Sequence, residues 1–179
     1  MFKVAQSVLV VVDVQGKLAY LMHEKERLFR NILATIKAAY ILDIPVLWTE
    51  QAPEKIGATV PEVADLLTGL TPIPKTSFSC CGEKRFLDIL KDLKRKQVIL
   101  VGIETHVCVY QTAADLVERG YEVQVVADAV SSRNPDNNMW GLERIKQSGA
   151  GLTCCEALAC ELLQKAEGDK FKMILNLIK

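Results

Sequence analysis

Residues Gln97-Val-Ile-Leu-Val-Gly-Ile-Glu-Thr-His-Val-Cys-Val109 contain the turn on which the predicted architecture of this chain depends. The first five are strand formers, so the pattern predicts a buried strand over 97–101. The amphipathic pattern that follows predicts a helix over 107–119, closed by Gly120. Cys108 therefore stands where a buried strand becomes the first turn of a helix. A helix N-terminus carries partial positive charge, which favours thiolate over thiol, so Cys108 is a candidate nucleophile.

Strand-like and helix-like segments alternate along the rest of the chain. The other apolar, β-branched runs that predict strands are residues 7–13, 45–49, 73–76, 122–127 and 151–153. The other segments with helical spacing are residues 24–42, 61–67, 83–93, 135–148, 156–166 and 169–177. This alternation predicts an α/β fold with a mostly parallel, six-stranded sheet and helices on both faces. If the strand order is 3-2-1-4-5-6, the first and fourth strands are neighbours where the order reverses. We expect a single domain over residues 1–179.

Composition and charge argue against several classes of function. Lys plus Arg equals Asp plus Glu, 22 each in 179 residues, and no basic cluster stands out. We therefore expect neither a nucleic-acid partner nor membrane binding, since no segment could span a bilayer. No signal peptide is apparent, and the spacing of the six cysteines suits neither disulfides nor a zinc site. We expect a cytoplasmic protein with reduced thiols, no metal and no cofactor.

Three reactive side chains are predicted to meet at one edge of the sheet. Asp13 ends the first strand, Lys75 lies on the third, and Cys108 follows the fourth. In open parallel sheets, ligands bind beyond the carboxyl ends of the strands where the strand order reverses, here between the first and fourth strands. Each residue also has an ordinary interpretation: Asp13 as a turn cap, Lys75 as a solvated lysine, Cys108 as a small core residue.

Five motifs follow one another along nearly the whole chain: Val-Val-Asp-Val-Gln (11–15), Trp-Thr-Glu-Gln (48–51), Pro-Lys-Thr-Ser-Phe-Ser (74–79), Gly-Ile-Glu-Thr-His-Val-Cys (102–108) and Asp-Ala-Val-Ser-Ser-Arg (128–133). In these motifs and their order, the sequence resembles the isochorismatase-like cysteine hydrolase superfamily. Thr-Glu-Gln followed by Gly-Ala-Thr-Val-Pro-Glu (57–62) resembles the isochorismatase-domain-containing subgroup. The resemblance implies a three-layer, Rossmann-like isochorismatase-type fold, a small-molecule substrate and a homo-oligomer, dimer or larger.

The resemblance also implies a catalytic triad of Asp13, Lys75 and Cys108. It further implies a cis peptide bond before Glu104 and an oxyanion hole formed by the backbone N–H groups of Glu104 and Cys108. In this scheme the Lys75 ammonium and the helix N-terminus are expected to lower the pKa of the Cys108 thiol. Asp13 takes the thiol proton and passes it to the leaving amine.

Two departures from the superfamily pattern narrow the chemistry. Residues 49–53 lack the histidine of the metal cluster that nicotinamidases carry after the second strand, and Cys108 is the nucleophile that true isochorismatases lack. We therefore predict a metal-independent, amidase-like cysteine hydrolase acting on a small amide or related non-peptide C–N bond. The substrate-binding candidates are Gln15, Trp48, Gln51, Phe78 and His106.

Two other classes of function stay open at this point. The first is a thiol redox or sensor protein that uses Cys108 together with Cys80 or Cys81. The second is a non-catalytic, oligomeric binding module on the same fold. For His106, a hydrogen-bonded structural histidine is a competing interpretation.

Overall fold

A sheet of six parallel strands organises the protein. The computed structural model describes residues 1–178. The strands are β1 (Ser7–Val12), β2 (Val46–Gln51), β3 (Ile73–Lys75), β4 (Gln97–Ile103), β5 (Glu122–Ser131) and β6 (Gly151–Thr153). Their order is β3-β2-β1-β4-β5-β6, and every neighbouring pair is parallel. The predicted α/β class and strand order are thereby confirmed.

Helices cover both faces of this sheet. They are α1 (Gly16–Ala19), α2 (Lys25–Ile41), α3 (Pro53–Ile56), α4 (Pro61–Ala64), α5 (Lys84–Asp92), α6 (Tyr110–Glu118), α7 (Pro135–Gln147), α8 (Cys155–Leu163) and α9 (Gly168–Ile178). Because side chains alternate along a strand, Leu9 and Val11 of β1 join the core beneath α2, α8 and α9, whereas Val10 and Val12 join the core beneath α5, α6 and α7. A strand buried on both faces is apolar throughout, which is why β1 is a continuous apolar run.

Three strands extend beyond the ends that their patterns predict, and the first of them, β2, continues to Gln51 instead of ending at residue 49. β4 continues to Ile103 and β5 to Ser131, instead of ending at residues 101 and 127. The register between these strands shifts immediately before Gly102, and they pair again beyond the irregularity. Such a bulge interrupts the simple alternation from which strand ends are predicted.

The chain between β4 and α6 also differs from its prediction. The helix begins at Tyr110 rather than at residue 107, because Thr105–Val109 form one turn of π-helix. The N–H groups of Val107 and Val109 both donate to the carbonyl oxygen of Glu104, at 3.1 and 3.3 Å. Cys108 is therefore held in a wide turn before the helix rather than in its first α-helical turn.

A glycine allows β1 and β4 to approach each other at the edge that carries the predicted site. Gly102 has a φ of 123°, and a Cβ atom there would lie 2.1 Å from the carbonyl oxygen of Val12. No other residue type fits both the space and the backbone angle without displacing one of the strands. The close approach brings Asp13 and Glu104, which follow these strands, to the same place.

Candidate active site

Asp13 and Lys75 form a buried ion pair at the carboxyl edge of the sheet. Asp13 follows β1 in a left-handed conformation (φ 50°), and Lys75 is the last residue of β3. The Nζ atom of Lys75 donates to Oδ2 of Asp13 at 2.6 Å, and the two side chains are 0% and 5% exposed. Since β2 lies between β1 and β3, the Lys75 side chain spans the end of β2 to make this contact.

Three further acceptors surround the Lys75 ammonium group. They are Oε1 of Gln51 at 2.8 Å and the carbonyl oxygens of Ser77 at 3.1 Å and Phe78 at 3.0 Å. With Asp13, four acceptors share the three N–H bonds of one ammonium. The buried positive charge is thus compensated within the protein, and the Lys75 ammonium has no N–H donor left for another ligand.

Thr49 holds the second oxygen of the Asp13 carboxylate. Its hydroxyl donates to Oδ1 of Asp13 at 2.7 Å, and the same Oγ1 atom lies 3.7 Å from the sulfur of Cys80. Because the single hydroxyl proton points to Asp13, the Cys80 thiol is the donor in the second contact. Thr49 was not predicted as a site residue. Its parallel register beside Val12, the residue before Asp13, was the signal that could have identified it.

Contacts with α7 fix the turn that carries Cys108. Its side chain is 7% exposed, and it contributes to the cavity wall next to Asp13. On the outer side, α7 packs so closely that a Cβ atom at Gly141 would lie 2.7 Å from the backbone nitrogen of His106. The Thr105 hydroxyl also donates to Oδ1 of Asn138 in α7, at 2.6 Å. These contacts fix the backbone of the turn from which the Cys108 side chain projects.

The protonation state of Cys108 differs from the one expected from the sequence. Burial raises the pKa of the Cys108 thiol far above its ordinary value, and the neighbouring Asp13 carboxylate raises it further. The Lys75 ammonium lowers this pKa, but by less than either of those effects raises it. The expected lowering is thus wrong, because the sequence pattern does not show how completely the thiol is removed from water. Cys108 is a neutral thiol at neutral pH and needs a base before it can attack a carbonyl carbon.

The peptide bond between Ile103 and Glu104 is cis, as the resemblance implies. The Glu104 side chain is held by Arg133, whose Nε and NH2 groups donate to its two carboxylate oxygens at 3.1 and 3.3 Å. The backbone N–H of Arg133 donates to the same carboxylate at 3.1 Å. These contacts concern the Glu104 side chain. The assignment of the backbone N–H groups of Glu104 and Cys108 to an oxyanion hole stays a prediction.

A cavity of about 100 Å³ lies beside these groups. Its walls are formed by Asp13, Gln15, Leu18, Gln51, Ile56, Phe78, Ile103, Glu104, Val107 and Cys108. Lys75 lies behind this wall, in contact with Asp13 and Gln51. The predicted triad and both predicted oxyanion residues thus come together at one small cavity, although their roles remain proposals.

Three of the predicted substrate-binding residues also line this cavity. The Gln15 side chain is fully buried and connects two loops, because its Nε2 donates to the carbonyl oxygens of Gly57 and Gln51, at 2.6 and 3.2 Å. The Gln51 side chain joins Lys75 to the carbonyl oxygen of Thr76. The Phe78 side chain is 55% exposed at the mouth of the cavity.

The other two predicted binding residues do not line the cavity. Trp48 is buried in the core beneath α2, because alternation along β2 points it to the face opposite Thr49. His106 lies on another side of its turn, where Nδ1 is 2.9 Å from Oγ of Ser132. Neither residue was misplaced along the sequence. The direction of each side chain could not be predicted from it.

Two features are absent from residues 1–178. Nowhere in that range are three or more His, Cys, Asp or Glu side chains grouped as a metal ion would require. No helix of the same range is long and apolar enough to cross a membrane.

Two buried thiols behind the site predict an alkaline limit to stability. Burial raises the pKa of Cys80 to about 11 and that of Cys81 to about 12, whereas the pKa of an unfolded thiol is about 8.5. The unfolded chain therefore loses these protons at a lower pH than the folded chain. The stability that depends on the two neutral buried thiols is complete below about pH 8 and is lost as pH rises through their pKa values in the folded state. We expect the free energy of unfolding, measured by urea titration under reducing conditions, to fall by up to about 1.4 kcal/mol per pH unit for each thiol above about pH 9.

The control for this prediction is the Cys80→Ala/Cys81→Ala double variant. It should be less stable at neutral pH but should lose less stability per pH unit. The same slope in both proteins would contradict the assignment to these thiols.

The fold and the site together define a parallel α/β protein with a cysteine and a buried carboxylate–ammonium pair at the carboxyl edge of its sheet. Residues 7–157 match the family model described as Isochorismatase domain. The chain belongs to the isochorismatase family. The assignment to an isochorismatase-like superfamily and its domain-containing subgroup is thus confirmed.

Relatives with known sequences or structures support this membership. Isochorismatase domain-containing protein 2 of Danio rerio is 40% identical over 172 residues, which cover 96% of this chain and 86% of that protein. The structure described as MAR1 ribonuclease from Caenorhabditis elegans is 42% identical, with a TM-score of 0.92 over 99% of this chain and 91% of that one.

Two bacterial YcaC structures are more distant in sequence but equally similar in fold. YcaC from Pseudomonas aeruginosa, described with hexane-2,5-diol and covalent acrylamide, is 25% identical, covering 98% of this chain and 90% of its own. YcaC from Escherichia coli, described as an octameric hydrolase of unknown specificity, is 26% identical, covering 98% and 89%. Both superpose with a TM-score of 0.92.

Proposed function

We propose that this protein is a metal-independent cysteine hydrolase that cleaves a small amide or related non-peptide C–N bond. The observation that carries the proposal is that Cys108 and the Asp13 of the buried Asp13–Lys75 pair share one cavity of about 100 Å³. A neutral thiol beside a carboxylate fixed by two hydrogen bonds is suited to general-base activation. The covalent acrylamide described for P. aeruginosa YcaC supports a reactive nucleophile on this fold.

In the proposed reaction Asp13 accepts the Cys108 proton as the sulfur attacks the amide carbonyl carbon. The carbonyl π electrons move to oxygen, and the backbone N–H groups of Glu104 and Cys108 stabilise that oxyanion, each donor contributing roughly 3–4 kcal/mol. The intermediate collapses by breaking the C–N bond, and Asp13 returns the proton to the leaving amine. Water then attacks the thioester, its proton passes through Asp13 to the sulfur, and a carboxylic acid leaves. Lys75 holds the Asp13 carboxyl group in place throughout.

The C. elegans relative raises RNA as a second substrate to be tested, because it is described as a ribonuclease. Against RNA, the formal charge of this chain is zero, and its cavity wall contains two carboxylates and no cationic side chain in the part of the chain that the structure describes. We further propose a cytoplasmic homo-oligomer. The description of E. coli YcaC as octameric supports self-association.

The test is an ammonia-release screen over short primary amides, with ribonuclease activity on an unstructured RNA measured on the same preparations. We expect at least one amide to be turned over, and the Cys108→Ala variant to lose roughly 10⁴-fold or more in rate while it remains folded. Equal ammonia release by Cys108→Ala, or RNA cleavage alone, would refute the proposal. Oxidant-dependent modification of Cys108 without hydrolysis of any amide would favour the redox class instead.

A further inference from the structure

The polar side chains that line the cavity are already bonded to the protein. Oε1 of Gln15 accepts from the backbone N–H of Gln51 at 2.6 Å, and its Nε2 donates to two carbonyl oxygens. Oε1 of Gln51 accepts from Lys75, and its Nε2 donates to the carbonyl oxygen of Thr76 at 2.8 Å. Neither glutamine amide is therefore free to bind a charged group of a substrate without breaking its own contacts.

The charges around the cavity cancel in pairs. Asp13 is paired with Lys75, and Glu104 is paired with Arg133. Only the two carboxylates belong to the cavity wall, while Lys75 is buried behind it with four acceptors of its own. Among the described residues, the wall includes no Lys, Arg or His.

The rest of the wall is apolar and the space is small. Leu18, Ile56, Phe78, Ile103 and Val107 face it with hydrocarbon side chains. The space open to the centres of water-sized groups is about 100 Å³, several times the roughly 10–15 Å³ that one water needs on the same measure. The reacting amide and a short alkyl group attached to it can be accommodated in this space.

We infer that the site selects uncharged amides with a short apolar acyl group and rejects substrates that carry a carboxylate next to the reacting carbonyl. This inference rests on the proposed function, because it treats the bound molecule as a substrate. The selection by charge depends only on the groups around the cavity. A carboxylate in this cavity would lose its hydration beside two other carboxylates and would gain no unpaired cation. A neutral amide loses less hydration, and its alkyl group is placed against hydrocarbon.

A matched pair of alkylating reagents tests this selection without requiring turnover. Iodoacetamide and iodoacetate have nearly the same size, but the first is neutral and the second is an anion. With either reagent, an S–C bond forms, the C–I bond breaks, iodide leaves with the bonding pair, and the thiol proton passes to a base. The exposed thiols Cys154 and Cys160 are internal standards in the same molecule, since they lie outside the cavity.

The measured quantity is the ratio of the iodoacetamide rate to the iodoacetate rate at each cysteine, obtained by peptide mapping of the native protein. We expect this ratio at Cys108 to exceed the ratio at Cys160 by on the order of tenfold or more. Equal ratios, or no reaction of Cys108 with the neutral reagent, would overturn the inference. A high ratio at Cys108 in a protein that hydrolyses no amide would leave the cavity selection intact and refute only the proposed hydrolase.

A charge placed at the cavity mouth tests the cause of the selection. Because the Phe78 side chain is 55% exposed, Phe78→Arg can be accommodated and places a cation beside the entrance. We expect it to lower the Cys108 ratio several-fold toward that of Cys160, whereas the uncharged control Phe78→Gln should not. If Phe78→Gln lowers the ratio as much as Phe78→Arg does, charge is not the cause and the inference is wrong.

Discussion

Replacing Lys75 by methionine is expected to lower the free energy of unfolding by about 3–5 kcal/mol and to abolish amide hydrolysis. The substitution leaves the Asp13 carboxylate buried without its counter-ion, and it removes the donor from Gln51, Ser77 and Phe78. Without the ammonium, nothing holds Oδ2 of Asp13 in place, so the proposed base is no longer positioned to accept the Cys108 proton. Stability and activity should therefore be lost together.

A double-mutant cycle with Asp13→Asn measures how much of this loss belongs to the pair. Each single variant leaves one buried charge, whereas the double variant leaves neither, so its loss of stability should be smaller than the sum of the two. Urea unfolding curves provide the four values. The exposed pair Lys84–Asp88 on α5 supplies the matched control, because Lys84→Met should barely move the unfolding midpoint. Strictly additive losses at Lys75 and Asp13 would show that the two side chains are not coupled.

Gly102→Ala is expected to have the largest effect of any substitution by alanine at the strand ends. A Cβ atom would lie 2.1 Å from the carbonyl oxygen of Val12 and 2.7 Å from its nitrogen, so backbone rather than a flexible side chain has to move. We expect a loss of more than about 3 kcal/mol, the range in which large core defects fall. Activity should fall too, since the displaced strand leads directly into Asp13.

Gly120→Ala is the matched control for this prediction. Gly120 also has a positive φ, 79°, but a Cβ atom there would meet nothing within 4 Å. It should therefore show only the backbone cost of about 1 kcal/mol. Pulse proteolysis in urea gives both values even from small amounts of soluble protein. Similar losses at the two glycines would contradict a steric origin at Gly102.

The arrangement of the site was predictable from the sequence to the extent that it depends on the order of the strands. With the strand order 3-2-1-4-5-6, Asp13 and Cys108 follow strands that are neighbours where the order reverses, so their meeting was predicted from the alternation of segments together with that order. Lys75 was placed at the same edge, but its contact with Asp13 depends on a side chain that spans β2. That contact followed only from the family resemblance.

What the sequence could not show is the direction and the burial of individual side chains. Trp48 and Thr49 are adjacent, yet only Thr49 faces Asp13, because the alternation of β2 decides the face. The raised pKa of the Cys108 thiol depends on surrounding atoms that are distant in sequence. Local charge and helix position predicted the opposite sign.

The four acceptors around the Lys75 ammonium have a consequence for how this protein can change over generations. The Lys75 cation stabilises the fold and also holds Asp13 in place. A lineage that loses Lys75 is therefore expected to have a less stable chain. Cys108 contributes one sulfur to a turn that the backbone already fixes, so its loss would be tolerated. If the proposed hydrolysis is correct, a descendant that abandoned it is therefore expected to lose Cys108 first and to keep Asp13 and Lys75, as a record of the proposed reaction.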